Sequence, residues 1–436
     1  MEGVRGAREY SAREYDFIVF GASGFTGQFV VSQLAKLRDE EPALKWAVGG
    51  RSMSKLVNTL KEAGSRAGTS LASIDCLLAD SKDPDSLIEL CGKGRVVLSC
   101  VGPYRFCGEP VVKACVEAGT NYVDICGEPQ FLEEMQLRYD AQAKEKGIYI
   151  VGSCGFDSIP AEMGLLFTKN KFEGDLNSVE SFIQIKFAVP EVKGAKINFA
   201  TWQSAVHGFA HEGELKPLRK LLCPEPLPKP IHRVKNRGVL FYSKEVGSWC
   251  IPFLGSDRSI VYRSQVISYR DRKERPIQFL PYTKLPSLMS ALAVLSFGIV
   301  FGILAKFKCG RWLLEKFPGI FSGGLVSKQG PPLAQIQGSS FTMTFFGKGY
   351  SQILPDADQQ HNEAPDKTIV TSVTGPEAGY VTTPICMVDA ALVILREQNM
   401  LPAGGGVIPP GAAFAKTSLI EKLQKHGMKF EVQPST

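Results

Sequence analysis

The sequence predicts an α/β fold: an N-terminal Rossmann unit with a doubly wound parallel sheet, then a second α+β domain carrying an apolar, membrane-associating helical segment. Three observations predict it. A glycine loop stands between a β-rich run and a helical pattern near the chain start, strand-like and helix-like runs then alternate to residue 152, and an uncharged stretch lies between Lys284 and Lys306. At 436 residues the chain exceeds the size at which one hydrophobic core stops growing, so two packed domains are expected. A composition 44% hydrophobic and 22% charged excludes both wholesale disorder and a multi-span membrane protein.

The first strand is Asp16 to Phe20. Gly21-Ala22-Ser23-Gly24-Phe25-Thr26-Gly27 follows at once and leads into the helical spacing of Phe29, Val30, Leu34 and Leu37. Gly21 suits the tight turn, Gly24 the approach of a pyrophosphate to the backbone, and Gly27 close packing of helix on strand. The diphosphate then meets free N–H groups at the positive end of the helix. The second strand, Leu44 to Gly49, runs into Gly50-Arg51-Ser52, with Lys55 a turn further on. An NAD site places a carboxylate there, which would repel a 2′-phosphate, whereas Arg51 pairs with one. The cofactor expected is therefore NADP(H).

A third strand, Asp75 to Asp80, ends beside the adenine at Asp80, and a fourth, Arg95 to Val101, ends in Gly102-Pro103-Tyr104 where the nicotinamide ribose passes. Glu109 to Ala118 reads as a helix, Tyr122 to Ile125 as a fifth strand, Glu133 to Lys146 as a helix and Ile148 to Gly152 as a sixth strand. Such alternation means a parallel, doubly wound sheet.

The motifs GASGFTG, GGRS, CVGPY, YVDICGE and GFDSIPAEMG, each at the end of a successive strand, resemble the saccharopine dehydrogenase-like oxidoreductases of animals. The resemblance covers essentially the whole chain, including the closing segment Gly404 to Gly411. Bacterial trans-acting enoyl reductases of glycolipid synthesis share the plan; true saccharopine reductases share the Rossmann half more securely than the substrate half. The resemblance implies an inserted second domain and a C-terminal segment that packs back near the first. The expected layout is a tail at 1–15, the NADP-binding domain at 16–155, a substrate or dimerisation domain at 156–385 and the returning segment at 386–436.

Hydride transfer on such a fold belongs at the carboxyl ends of strands four to six. Tyr104, Asp124 and Asp157 stand there as candidate proton-transfer residues, beside Cys126, Glu128 and Ser158. Asp157-Ser158-Ile159-Pro160 also suits a helix N-cap with Pro near the first turn, and Cys126 suits a small buried residue. His207 and His211 share a helical face next to Glu212 and Glu214, but without HExxH or supporting ligands no metal is expected. Arg219, Arg233, Arg237, Arg263 and Arg270 supply charge for a carboxylate clamp in no recognisable motif.

The uncharged run of residues 285–305 has the length of a membrane span, and Gly298 and Gly302 open a face for close helix approach. Lys284 precedes it, and Lys306, Lys308, Arg311 and Lys316 follow, so the positive-inside rule selects no crossing direction. A monotopic or interfacial helix with Trp312 and Phe317 at the boundary fits that symmetry; a buried core helix or a homodimer interface is the competing reading. Beyond it, Phe341 to Tyr350 and Ile369 to Thr374 read as strands joined by a polar loop, Thr383 to Arg396 as a helix, and Lys416 to Gly427 as a helix closed by Gly.

A formal charge of +6 without basic tracts excludes nucleic acid as an expected partner. Eleven scattered cysteines without CxxC read as thiols of an intracellular protein. The first sixteen residues alternate Arg with Glu, unlike a secretory or transit signal, and Glu2 replaces the Gly of N-myristoylation. The function expected is reduction of a C=C or C=O bond in a lipid-like substrate at a lipid droplet or the cytosolic face of a membrane, with the cytosol as the fallback location. Two alternatives stand beside it: a non-catalytic NADP(H)-binding scaffold, and a saccharopine-type amino-acid dehydrogenase.

Overall fold

The computed structural model describes residues 13–188 and 194–434. Most of the expected tail at 1–15 lies outside these residues. Residues 13–15, however, are part of the fold: Arg13 donates to the carbonyls of Gly94, Ala118 and Gly119 at 2.5, 2.6 and 3.1 Å, and Tyr15 opens the first strand. The chain forms two compact units. The first takes residues up to 156 with 379–408 and 416–419; the second takes 157–378 with 409–415 and 420–436.

In the first unit, β1 (Tyr15–Phe20), α1 (Phe25–Lys36), β2 (Trp46–Gly50), α2 (Met53–Ala67), β3 (Asp75–Leu78), α3 (Pro84–Lys93), β4 (Gly94–Ser99), α4 (Tyr104–Ala118), β5 (Asn121–Asp124), α5 (Pro129–Glu145) and β6 (Tyr149–Val151) alternate as expected. The strands lie in the order β6, β5, β4, β1, β2, β3, all parallel, with the two-residue strand Gly406–Val407 added beside β6. The doubly wound sheet is thus present. β1 and β4 are almost wholly buried because helices cover both sheet faces, which is why they read as continuous apolar runs. β3 stops at Leu78, so Asp80 lies two residues beyond the strand.

α4 starts at Tyr104, five residues before the expected Glu109. The glutamate carboxylate of Glu128 accepts from Tyr104 N at 3.0 Å and Arg105 N at 3.2 Å, capping a first turn that Pro110 had masked in the sequence. The helix Thr383–Arg396 also belongs to this unit. Apart from Asp389 and its first residue, Thr383, it is apolar up to Arg396, and it is buried from Thr383 to Leu395.

The second unit is built on a seven-stranded mixed sheet. Its order is Lys429–Val432, Lys367–Pro376, Ser340–Tyr350, Asp175–Lys186, Gln278–Leu285, Ser248–Pro252 and Phe241–Ser243, antiparallel except where Asp175–Lys186 meets Gln278–Leu285. The helix Ile159–Lys171 packs on this sheet. A Cβ on Gly164 would stand 2.2 Å from the Phe345 ring, and Thr168 bonds Thr371 side chain to side chain at 2.6 Å. The last glycine of GFDSIPAEMG is therefore a helix-to-sheet contact.

The expected C-terminal segment 386–436 does not travel as one piece. Its apolar helix is buried in the first unit, whereas Lys429–Val432 pairs with residues 371–374 as an edge strand of the second. The closing helix is Leu419–Lys425, shorter than expected, and Gly427 follows it with φ +106°.

Candidate functional site

The glycine loop closes the carboxyl end of β1 by a chain of short backbone bonds. Gly21 N reaches Gly49 O at 2.9 Å, Gly24 N reaches Gly21 O at 2.9 Å, and Cys100 N reaches Phe20 O at 2.8 Å. Gly21 has φ +81°, and a Cβ there would meet Val101 Cγ2 at 2.6 Å. A Cβ on Gly27 would stand 2.4 Å from Gly21 O, so this glycine lets α1 close on the loop. Gly24 is exposed and caps α1 with an extended backbone; the first turn of α1 carries no acid. Ala22, Ser23, Phe25 and Thr26 complete the loop, leaving N–H groups that the helix itself cannot satisfy.

Three neighbouring strand ends complete the cradle. After β2, Arg51 and Lys55 are exposed around half-buried Ser52, and Arg51 makes no ion pair among the described residues. After β3, Ala79 N bonds Gly50 O at 3.1 Å and holds Asp80 beside the β2 end; the Asp80 carboxylate accepts from Lys82 N at 3.0 Å. After β4 come Val101, Gly102, Pro103 and Tyr104. An acid-free helix terminus, a loop too tight for Cβ atoms and an unpaired arginine past the second strand fit a dinucleotide with a 2′-phosphate.

Tyr104 and Asp124 are both in this unit, and both are committed to structure. The buried Tyr104 hydroxyl donates to Ser99 O at 2.8 Å and accepts from Ile125 N at 3.3 Å. Burial, then Asp124, pushes it well above the usual phenol range. In this arrangement it is a strut between β4 and the β5 loop. The Asp124 carboxylate, 1% exposed, accepts from Cys126 N and Ser153 N on one oxygen and from the Tyr122 hydroxyl on the other, all at 2.9 Å. Burial raises it to about 6 against those three bonds. It welds the β5 loop to the β6 loop. Cys126 is fully buried, with Glu128 N donating to its sulfur at 3.3 Å.

Asp157 opens the second unit and belongs to a different group. Ser158 stands at the N-cap of Ile159–Lys171, as the sequence suggested, but its side chain makes no capping bond; it has φ +134° and lies 3.3 Å from the Ser256 hydroxyl. Around it are Glu162, whose carboxylate accepts from Ser264, and Asp257. A Cβ on Gly411 would fall 2.0 Å from Glu162 Oε2, which explains that glycine. Burial raises all three acids, Glu162 to about 7 and Asp257 furthest in direction, with Asp157 and Glu162 adding repulsion at Asp257. The Asp157 carboxyl, unlike those of Asp124 and Glu162, accepts no hydrogen bond among the described residues. A cleft beside Glu162 measures about 60 Å³, far below the roughly 300–1,000 Å³ of small-molecule sites, so it takes water at most.

Sequence reasoning missed the capping role of Glu128 and the convergence of Glu162 with Asp257. The signal for the first two was their place inside YVDICGE and GFDSIPAEMG; Asp257 had none. The histidines are structural: His207 Nε2 pairs with Glu315 at 2.8 Å and His211 Nδ1 with the His207 carbonyl at 2.8 Å. Among the described residues no His, Cys, Asp and Glu group could hold a metal. Arg237 is locked to Glu180 through two 2.8 Å bonds and to Glu245, whose carboxyl it holds down at about 2, so it is no free carboxylate clamp.

Among the described residues two helices have the length and apolarity of a membrane span, and burial separates them. Ala378–Arg396 is 83% buried, a core helix; Leu288–Lys306 is 17% buried. Only the second presents its apolar surface outward.

Residues 17–151 match the family model described as the saccharopine dehydrogenase NADP binding domain. A mouse protein, saccharopine dehydrogenase-like oxidoreductase, is 47% identical over 97% of this chain and 98% of its own. A protein of Caenorhabditis elegans named lipid droplet localized protein is 37% identical over 96% and 98% respectively. The apo structure of saccharopine dehydrogenase (L-Glu forming) from Saccharomyces cerevisiae aligns with TM-score 0.51 over 96% of this chain and 100% of that one; at 13% identity this shows the shared fold. The chain belongs to the saccharopine dehydrogenase-like oxidoreductase family, and its cofactor is NADP(H).

Proposed function

We propose that this family member reduces a C=C or C=O bond in a lipid-like substrate at a membrane or lipid-droplet surface, using NADPH, with Asp157 as the acid that handles the proton. The observation that carries the reading is the outward-facing apolar helix Leu288–Lys306 on a chain whose first unit is an NADP domain. A soluble enzyme with a water-soluble substrate gains nothing from that exposed surface, which costs solubility. An enzyme whose substrate stays in a lipid phase needs it. The name of the worm relative supports the same location.

One observation favours a second reading. Tyr104 and Asp124, at the strand ends where hydride transfer belongs, are fully used by structural hydrogen bonds, which suits an NADP(H)-binding scaffold without turnover. NADPH oxidation in the presence of extracted cellular lipids separates the two. Saturable oxidation that Gly24→Asp abolishes, by placing a carboxylate against the diphosphate, supports the enzyme; tight NADPH binding with no turnover on any lipid fraction assigns the scaffold. Stimulation by 2-oxo acids and amines instead would assign amino-acid chemistry.

A further inference from the structure

We infer that the face built from helices Leu288–Lys306 and Lys308–Lys316 docks on one phospholipid leaflet, lying in its plane, and selects leaflets that carry anionic headgroups. The inference rests on the lipid-surface reading above and adds both the orientation and the headgroup charge.

Orientation follows from how the first helix is held. Nineteen residues make it about 28 Å long. Its buried residues, Ala291, Phe301 and Ala305, lie on one side from near its start to its end. Phe301 packs on Trp202 and Phe209 at ring distances of 5.0 and 5.4 Å, and Ala305 joins Val206, Leu314 and Val326 in the same cluster. The opposite side is a stripe at helical spacing: Met289, Leu292, Ile299 and Ile303, of which Met289 is 74% and Ile299 65% exposed. A helix fastened along its length to its own domain cannot run through a bilayer. It can sink its free side into one leaflet.

Charge gives the second part. From Leu285 to Pro355 the single acid is Glu315, and His207 and Gln203 hold it at 2.8 and 3.2 Å. Lys306, Lys308 and Lys316 are exposed and answered by no acid among the described residues. They alternate with exposed apolar groups: Phe307 and Trp312, the latter covered by Lys316 Nζ at 4.4 Å, and Ile320 a turn beyond. Exposed apolar side chains interleaved along the chain with unanswered ammonium groups match an apolar leaflet under a negative surface, and a second copy of this segment would meet it positive to positive.

The test uses the full chain and vesicles of phosphatidylcholine, alone or mixed with phosphatidylserine, read by flotation at low and high salt. Each basic side chain near an anionic surface is worth about 5-fold in binding, the equivalent of ~1 kcal/mol. Lys306→Gln with Lys308→Gln and Lys316→Gln should therefore weaken binding to the mixed vesicles on the order of 100-fold, leave binding to phosphatidylcholine unchanged, and remove the salt sensitivity. Ile299→Glu with Ile303→Glu should abolish binding to both. NADPH titration reports that each variant is folded. Equal binding to the two vesicle types, or a triple variant that keeps the preference, overturns the headgroup inference and leaves the lipid-surface reading standing. Binding to neither, together with a dimer that Ile299→Glu dissociates, overturns both and assigns the face to a second copy.

Discussion

The Asp124 carboxylate shows how a buried acid can be well bonded and still be a cost. Its ordinary value of 3.8 rises to about 6 because burial outweighs the three hydrogen bonds it accepts. The folded state therefore binds this proton more tightly than the unfolded chain. Well below pH 3.8 the carboxyl is neutral in both states; as pH rises from 3.8 to about 6 the unfolded chain ionises while the folded carboxyl keeps its proton, which removes up to ~3 kcal/mol of stability, and the loss levels off once the folded carboxyl ionises too. Asp124→Asn keeps an oxygen for Cys126 N and Ser153 N, and the Tyr122 hydroxyl can turn to accept. Its urea midpoint should gain on the wild type as pH rises through that window; a constant difference across it would show that the carboxylate carries no such penalty. Arg51 lies exposed just past β2. Charge-assisted bonds to a phosphate contribute ~1.5–3 kcal/mol, so Arg51→Ala should weaken NADPH by about 10- to 100-fold and leave NADH unchanged. Parallel titrations of both nucleotides check it. Gly21 and Gly27 were legible because each acts on its immediate neighbours in the loop. Glu128 was not, because it caps a helix that begins 24 residues before it in the chain.

At the scale of elements, Ser340–Tyr350 was readable from its alternation, since one face packs under Ile159–Lys171 while the other is half-exposed. Asp175–Lys186 was not. Eight consecutive residues of it are buried, so the period-2 signal vanishes, and its parallel partner Gln278–Leu285 lies about a hundred residues away, where no local pattern sets the register. The helix that covers this sheet depends on one glycine. With a Cβ at Gly164 only 2.2 Å from the Phe345 ring, Gly164→Ala must push the helix off or tilt the ring, and overpacking of this kind costs about 1–3 kcal/mol. Phe345→Leu, placed in the same chain, should return part of that loss. Thermal unfolding of the two single variants and the double variant measures the coupling; additive losses would mean that the two residues do not share the contact.

Across the whole molecule the chain passes between its two units at residues 156, 378, 408, 415 and 419, so neither unit is a continuous stretch. That layout was only half legible, because a returning helix carries no mark of the unit it will join. The NADP-binding unit recruits Thr383–Arg396, whose Ile385, Val388, Leu392, Val393 and Ile394 are at most 4% exposed and whose neighbours are α1, β4 and β5. Each such side chain contributes ~1.5–3 kcal/mol on burial, so these five together approach or exceed the ~5–15 kcal/mol by which a whole protein is stable. A fragment of residues 13–156 would thus expose an apolar trough that nothing else in it can fill. It should be insoluble or bind no NADPH, although it contains Gly21, Gly24, Gly27 and Arg51 and all of the stretch matched by the family model. Joining residues 379–408 to it through a flexible linker should restore soluble protein and NADPH binding within about 10-fold of the full chain, a difference of ~1.4 kcal/mol. If the shorter fragment binds NADPH as well as the full chain, the returning helix is an appendage rather than core.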